Sequence, residues 1–502
     1  MRKKYKFRII TFILVSFSLL LSSWYVIHSD IYFFTDIARD FLLFQEIDVK
    51  KIILIGPRSS AGGLFHGPLW LYVNYPAYVL GHGSPVVVGW YWIILIAGFL
   101  CVSFYVAKKL FNESTALIYV LLLAVYFVSN SRGLFNPFGG LFVMPLLFYF
   151  YIKYLETFKV RYLLLHIIFL GCLIQFQMAV GIPFAILSFL YSFYFMVKKN
   201  KALHITAYAL LILLLSNYII FDLRHNFLLL KGILHYASPA TINPEVSMLS
   251  VLQNRLGYFT DLSLVSYVPL VVTLAISIFF FIFLAQQIKD NKYKRIYFLA
   301  AYFYLGYILL TITSKNLLLY QQFIPIYPIL YLVFASFITS RYQKVFFIFF
   351  LLVYIINLSS AINFIKNADS FIGKNPESWK FLSGLTQKIY ESKDKKFGLF
   401  VYSPDTFGYQ PKYAVSYMSK IYPGRSSYLE KKQITYLIAA PPPPDNPYMK
   451  DKWWVENILH INKEPQSVTS FPNGYKIERY TLNEKEIKIP YEYNVDVGLF
   501  FR

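Results

Sequence analysis

IYFFTDIARDFLLFQE, residues 31–46, sets three charged side chains at helical spacing just beyond the first long apolar run of the chain. Asp36, Arg39 and Asp40 stand at i, i+3 and i+4, so a helix carries all three on one face. Elsewhere the hydrophobic segments exclude charge almost entirely. Two carboxylates and a guanidinium beside a membrane surface suit a definite chemistry. One carboxylate takes a proton from an acceptor hydroxyl or amine, and the neighbouring cation binds the phosphate of a lipid-linked substrate. The same spacing also occurs on an interfacial helix whose charged face is only solvated, with the arginine paired locally.

Upstream, MRKKYKFR precedes an apolar run over roughly residues 9–27, long for a secretory signal. No small-x-small cleavage site precedes Trp24 and Tyr25, so a retained anchor is expected. Of the 502 residues, 57% are hydrophobic and 15% charged, a balance foreign to soluble domains. About 20 apolar residues cross the hydrocarbon core, and by that length the chain holds roughly eleven spans. The expected fold is an α-helical polytopic membrane protein with a small C-terminal α/β domain. Between Leu163 and Val197 the apolar pattern is interrupted by Gln175, Gln177 and Pro183, which also suits a re-entrant segment.

The net charge of +22 is not a nucleic-acid signature. The cations cluster on alternate connections: Lys108-Lys109, then Lys153/Lys159/Arg161, Lys198/Lys199/Lys201, Lys289/Lys292/Lys294/Arg295 and Arg341/Lys344. The positive-inside rule then predicts a multi-pass plasma-membrane protein with a cytoplasmic N-terminus. The long connections bearing Asp30, Asp36, Asp40, Asp222 and Asp261 fall outside. So does everything after about residue 364. Cys101 and Cys172 lie inside apolar runs and are not expected to form a disulfide.

The expected domains are 1–364, a transmembrane catalytic region with an outer juxtamembrane loop at 28–85, and 365–502, an extracytoplasmic α/β domain. In the latter, Ser378–Ser392 has helical periodicity. KKFGLFVYSP and ITYLIAAPPPP read as buried strands, YMKDKWWVENIL as a helix, and Pro472-Asn473-Gly474 as a hairpin turn. In the outer loop one surface helix is expected, followed by an irregular Gly- and Pro-punctuated segment.

Four further stretches supply polar groups on the outward side of this topology. In RSSAGGLFHGP, Arg58 and His66 can donate to phosphate oxygens and the glycines permit close backbone approach. The stretch lacks the GK[ST] of a Walker A loop. FDLRHNF contributes Asp222, Arg224 and His225, SRGLFNPFGG contributes Arg132, and TSKNLLLYQQF contributes Lys315 and Tyr320. Taken singly, each is equally a linker or a set of boundary residues with snorkelling side chains. No HExxH, CxxC pair or nucleophile elbow occurs, and His28, His66 and His82 lack metal-site spacing. No protein metal site or firm cofactor is expected, although an aspartate beside a phosphate leaves a divalent cation open.

A basic N-terminus, one span, a D-x-x-R-D helix and a loop carrying His66-Gly67-Pro68-Leu69 together resemble the GT-C superfamily of integral-membrane glycosyltransferases. The nearer likeness is to the bacterial branch related to protein O-mannosyltransferases and aminoarabinose transferases. It covers about residues 1–364 in architecture and is specific around residues 30–72. The resemblance implies a bacterial enzyme that transfers a hexosyl or pentosyl group, with inversion, from a polyprenyl-phosphate donor to an acceptor the sequence does not identify. It makes Asp36 the base and Arg39 and His66 candidates for the lipid phosphate. Arg58 is added by its chemistry, and Asp40 either orients Arg39 or binds the sugar. Two departures stand out: Ile37 occupies the place of a common Glu, and His66 replaces a lysine of the aminoarabinose branch. The competing classes are a polymerase or ligase using lipid-linked glycans, and a lipid-glycan flippase.

Overall fold

A computed structural model describes residues 2–59, 63–237, 247–265, 269–290, 292–312, 317–405, 407–443, 446 and 451–492. Among these, nine helices are long and apolar enough to cross a membrane, from Tyr5–Ser22 to Gln343–Ser370. A tenth is added if Ala202–Leu214 and Ser216–Arg224, bent by 51° at a short break, form one span. The remaining apolar segment of the sequence is the helix Val160–Phe176, 17 residues long, or about 25 Å at 1.5 Å per residue. All eleven apolar segments are thus helical, and the count depends on one short and one bent member. The break near Gln175 has a specific form. One helix stops at Phe176, Gln177 is extended (φ −148°, ψ 89°), and the next helix, Met178–Lys198, continues through Pro183.

The chain folds as two compact units, each assembled from separate stretches. The first comprises Met1–Ser23, Ile52–Asn74 and Tyr91–Ile365. Its interior combines aliphatic and aromatic packing with buried polar groups that find backbone partners, as lipid-embedded segments require. Ser131 Oγ donates to the Ser22 carbonyl at 2.6 Å, and His166 Nδ1 lies 3.1 Å from the Leu147 carbonyl. Asn112 caps the helix Glu113–Asn130 by accepting from the Thr115 amide.

The second unit comprises Trp24–Lys51, Tyr75–Trp90 and Lys366–Arg502. The polar C-terminal stretch therefore shares its unit with the segment after the first span. Its five-stranded sheet has the order β2-β1-β3-β5-β4, with β1 Phe397–Tyr402, β2 Ser426–Tyr428, β3 Ile434–Ala439, β4 Ser467–Ser470 and β5 Lys476–Thr481. β1 pairs in parallel with β2 and β3, while β5 is antiparallel to both β3 and β4. The two central parallel strands read FGLFVY and ITYLIA and are almost wholly buried, as strands covered on both faces should be. Phe400, Tyr402, Leu437, Val455, Leu459 and Tyr480 form the core of one face. Strands β1 and β3, the β4–β5 hairpin, and the helices Trp379–Tyr390 and Asp451–Asn457 fall where the sequence places them. The helix Tyr409–Ile421 and strand β2 were not anticipated.

Asp394 ties the sheet together. Arg479 on β5 donates to it through Nε (2.8 Å) and Nη2 (3.0 Å), and Tyr436 on β3 donates at 2.6 Å. The Arg479 bonds chiefly hold the Asp394 carboxyl below its ordinary value. A carboxylate with a depressed folded-state pKa adds stability above its unfolded pKa, and that contribution fades as pH falls through the folded value. Asp394→Asn is therefore expected to lower amide-exchange protection of β3 and β5 by about 1–2 kcal/mol at neutral pH. Below about pH 4 the difference from wild type should shrink, as measured by exchange on the full chain.

Candidate active site

The helix Thr35–Lys50 forms because TDIARDFLLFQEIDVK places Ile37, Phe41, Phe44 and Ile47 on one buried stripe. Asp36 in its first turn and Lys50 in its last complement the helix dipole, and Lys50 pairs with Glu46 at 2.7 Å. The backbone ahead of this helix is fixed by contacts far along the chain. Tyr32 bridges to Ser378, the Phe33 amide donates to the Glu377 carbonyl (2.7 Å), and the Trp379 amide donates to the Ile31 carbonyl (3.3 Å).

Asp30 anchors that junction with no exposure to water. Its Oδ1 accepts from the amides of Ile31 (2.9 Å) and Lys380 (3.0 Å). Oδ2 accepts from Ser378 Oγ (2.6 Å) and the Gly373 amide (3.3 Å). Burial pushes the Asp30 carboxyl above its ordinary value, and the four donors oppose that shift. The carboxylate faces the start of the helix Trp379–Tyr390, where Ser378 also accepts from the Phe381 amide as N-cap.

On the helix itself the three charges meet. Arg39 Nη1 lies 2.7 Å from Asp36 Oδ1, and Nη2 lies 3.3 Å from Asp40 Oδ1. The side chains of Arg39 and Asp40 are 11% and 4% exposed, whereas that of Asp36 is 34% exposed. Burial acts to lower the Arg39 pKa, but attraction to Asp40 and then Asp36 outweighs it, so the value lies above the ordinary one. The guanidinium is consequently a fixed cation between two carboxylates. The unanticipated helix Tyr409–Ile421 runs alongside: Gln410 Nε2 donates to Thr35 Oγ1 (3.2 Å) and Gln45 Nε2 donates to Ser416 Oγ (2.8 Å). Tyr413 packs against Phe33 and Phe41, and its hydroxyl donates to the Gly83 carbonyl at 2.6 Å. Gly83 has φ +87°, a left-handed turn that a side chain would strain. The tyrosines of PKYAVSYM, at i and i+4, were the legible sign of this helix.

Arg58 and His66 belong to the other unit, on a short hairpin. The Gly56 amide donates to the His66 carbonyl (2.7 Å), the His66 amide to Pro57 (2.9 Å), and Ser59 to Leu64 (2.9 Å). Arg58 is exposed and His66 half-buried. Gly67 has a packing reason: a Cβ there would overlap the Gln175 side chain, and the Gly67 amide donates to the Gln175 carbonyl at 2.9 Å. Gln175 Nε2 in turn reaches Leu214 O and Asn217 Oδ1, and Asn217 donates to Leu54 O. The glutamine that interrupts the apolar pattern therefore supports this hairpin. The loop also contains a second helix, Leu69–Leu80, beyond the single one expected.

The other candidates in that unit take local roles. Asp222 accepts from the amides of Leu229 (2.6 Å) and Leu230 (3.0 Å), capping the helix Leu228–Ala237. His225 stacks on Phe221 with centroids 4.1 Å apart, Arg224 is exposed, and Arg132 lies 4.8 Å above the Phe364 ring. Tyr320 begins a 3₁₀ turn and meets Tyr327. Lys315 lies outside the described residues. Among the described residues, no group of three or more His, Cys, Asp or Glu is placed to hold a metal ion.

The sequence matches no protein-family model and no curated protein. Two crystal structures of ArnT from Cupriavidus metallidurans, one bound to undecaprenyl phosphate and one apo, match with TM-scores of 0.59 and 0.60. Each alignment covers 93% of this chain and 97% of that one, at 12% and 11% identity. The chain shares the fold of these two structures. An oligosaccharyltransferase from Archaeoglobus fulgidus matches at a TM-score of 0.46 and 11% identity, over 85% of this chain and 67% of that one. At such identities the likeness is one of architecture.

The Asp30 junction generates a direct test. Asp30→Ala leaves buried donors unsatisfied and should cost about 2–4 kcal/mol of stability. Asp30→Asn should be nearly as costly, because an amide NH₂ would face donors. Lys380→Ala, which keeps the backbone donor, should cost far less; thermal unfolding of the full chain checks all three.

Proposed function

We propose that the chain is a membrane glycosyltransferase that moves a sugar from a polyprenyl-phosphate donor to an acceptor at the outer membrane face, with Asp36 as the catalytic base. The observation that carries this is the contrast within the charged cluster: Asp36 is one-third exposed while Arg39 and Asp40 are buried. A base must be reachable by the acceptor, whereas the groups that position it must not wander. The fold adds support, since it matches along nearly its whole length a protein crystallised with undecaprenyl phosphate.

In this mechanism the acceptor hydroxyl or amine attacks the anomeric carbon as its proton passes to Asp36. The bond from that carbon to the phosphate oxygen breaks, its electron pair leaves on the polyprenyl phosphate, and attack from the opposite side inverts the centre. Arg39 acts as a positioning residue, because its guanidinium is engaged by Asp36 and Asp40. Asp40 anchors Arg39 in turn. The leaving phosphate needs fixed positive charge, and the reading gives that task first to Arg58 and His66. The cytoplasmic N-terminus and outward C-terminal domain belong to the same proposal, supported by the alternation of basic clusters.

Asp36→Asn should reduce transfer by at least about 10²-fold without altering the exchange protection of its unit. The assay is purified protein in nanodiscs with a panel of polyprenyl-phosphate sugars, with products identified by mass; full activity of this variant would overturn the assignment. Arg39→Lys keeps the charge but loses the forked geometry, so kcat should fall while KM for the donor holds. An effect confined to donor KM would instead give Arg39 to the phosphate.

A further inference from the structure

The helices Leu270–Asp290, Lys294–Ile312 and Tyr320–Thr339 border a groove of about 310 Å³. Phe281, Leu284 and Ile288 form one wall, Ala301 and Leu305 another, and Val333 a third. The one hydroxyl in the lining, on Tyr304, already donates to the Tyr258 carbonyl at 2.8 Å. The groove therefore offers nothing to a sugar or a phosphate. An apolar cavity of about 150 Å³ accommodates benzene, so this volume suits a longer hydrocarbon segment. Leu305 is 41% exposed, which opens the groove onto the apolar outer surface of the helices.

Its position along the helices is lopsided. The first helix lines it only through its second half, up to Ile288, and the next through its middle, Ala300 to Leu305. The Ile288 end adjoins the connection carrying Lys289, Lys292, Lys294 and Arg295, where Asp290 is the sole acid. The Tyr342 ring lies 6.4 Å from Phe283, which brings Arg341 to the same end. The Lys292 ammonium and the Arg295 guanidinium lie over the rings of Tyr293 and Phe195, contacts that hold positive charge at this end of the helices.

We propose that this groove holds an acyl chain of an anionic phospholipid, with the headgroup phosphate on Lys289, Lys292 and Lys294. A hydrocarbon slot ending beneath clustered cations is complementary to such a lipid in both its parts. The cations lie on connections that the charge pattern gives to the cytoplasm, so the lipid belongs to the inner leaflet and is distinct from the sugar donor. The test is delipidated full-length protein in detergent, titrated with phosphatidylglycerol or phosphatidylcholine of identical acyl chains and followed by native mass spectrometry. Phosphatidylglycerol should bind about tenfold tighter or more, as expected for several lysines on one phosphate, and the preference should fade with salt. K289Q/K292Q/K294Q should abolish the preference while leaving weak phosphatidylcholine binding. Ala301→Phe should reduce both lipids, and Leu305→Trp at the exposed rim serves if the buried variant fails to fold. Equal binding of the two lipids, or a preference that survives the lysine substitutions, overturns the proposal. So does displacement of phosphatidylglycerol by equimolar undecaprenyl phosphate, which would assign the groove to the donor's tail.

Discussion

A carboxylate sealed from water is tolerable only when donors surround it, and Asp30 has four. Two come from backbone amides at Gly373 and Lys380 and one from the Ser378 hydroxyl, so the charge is satisfied only when the segment after the last span is in place. That requirement explains why one compact unit is built from discontinuous stretches of chain. The lead-in to the helix Thr35–Lys50 is paired with Glu377–Trp379, and the helix itself lies beside Tyr409–Ile421. The C-terminal region thus forms the bed on which Asp36 is held.

The charged cluster on that bed is graded by depth. Asp40 is nearly fully buried, Arg39 slightly less so, and Asp36 reaches the surface. Arg39 joins the two carboxylates, so the three side chains behave as one unit rather than three independent groups. The guanidinium lies between the two carboxylates, an arrangement that fits the role proposed for Asp36.

Features governed by local physics were legible in the sequence. The apolar segments, the helix bearing Asp36, both central strands and the Pro-Asn-Gly hairpin each announce themselves within about twenty residues. What escaped were partners remote in sequence. Asp30 looked like one more outward aspartate, because the amide it accepts from lies 350 residues away. Gln175 looked like a flaw in a span, because its contact with Gly67 exists only once the hairpin packs. The capping contacts of Asp222 were likewise hidden, because the helix it caps begins six residues further on.

The apolar side chain of Ile37 follows from the same geometry. Ile37 is 1% exposed and shares its stripe with Phe41, Phe44 and Ile47. A carboxylate there would be buried among aromatic rings, at a cost that only a partner could offset. Asp40 supplies the second acid one position beyond Arg39, where it meets the guanidinium directly. The two carboxylates therefore surround one cation while the packed face stays apolar. A membrane fold is constrained mainly by apolar length and satisfied backbone groups. An architecture can thus be shared with ArnT at only 11–12% identity, and each functional residue must be argued from its own surroundings.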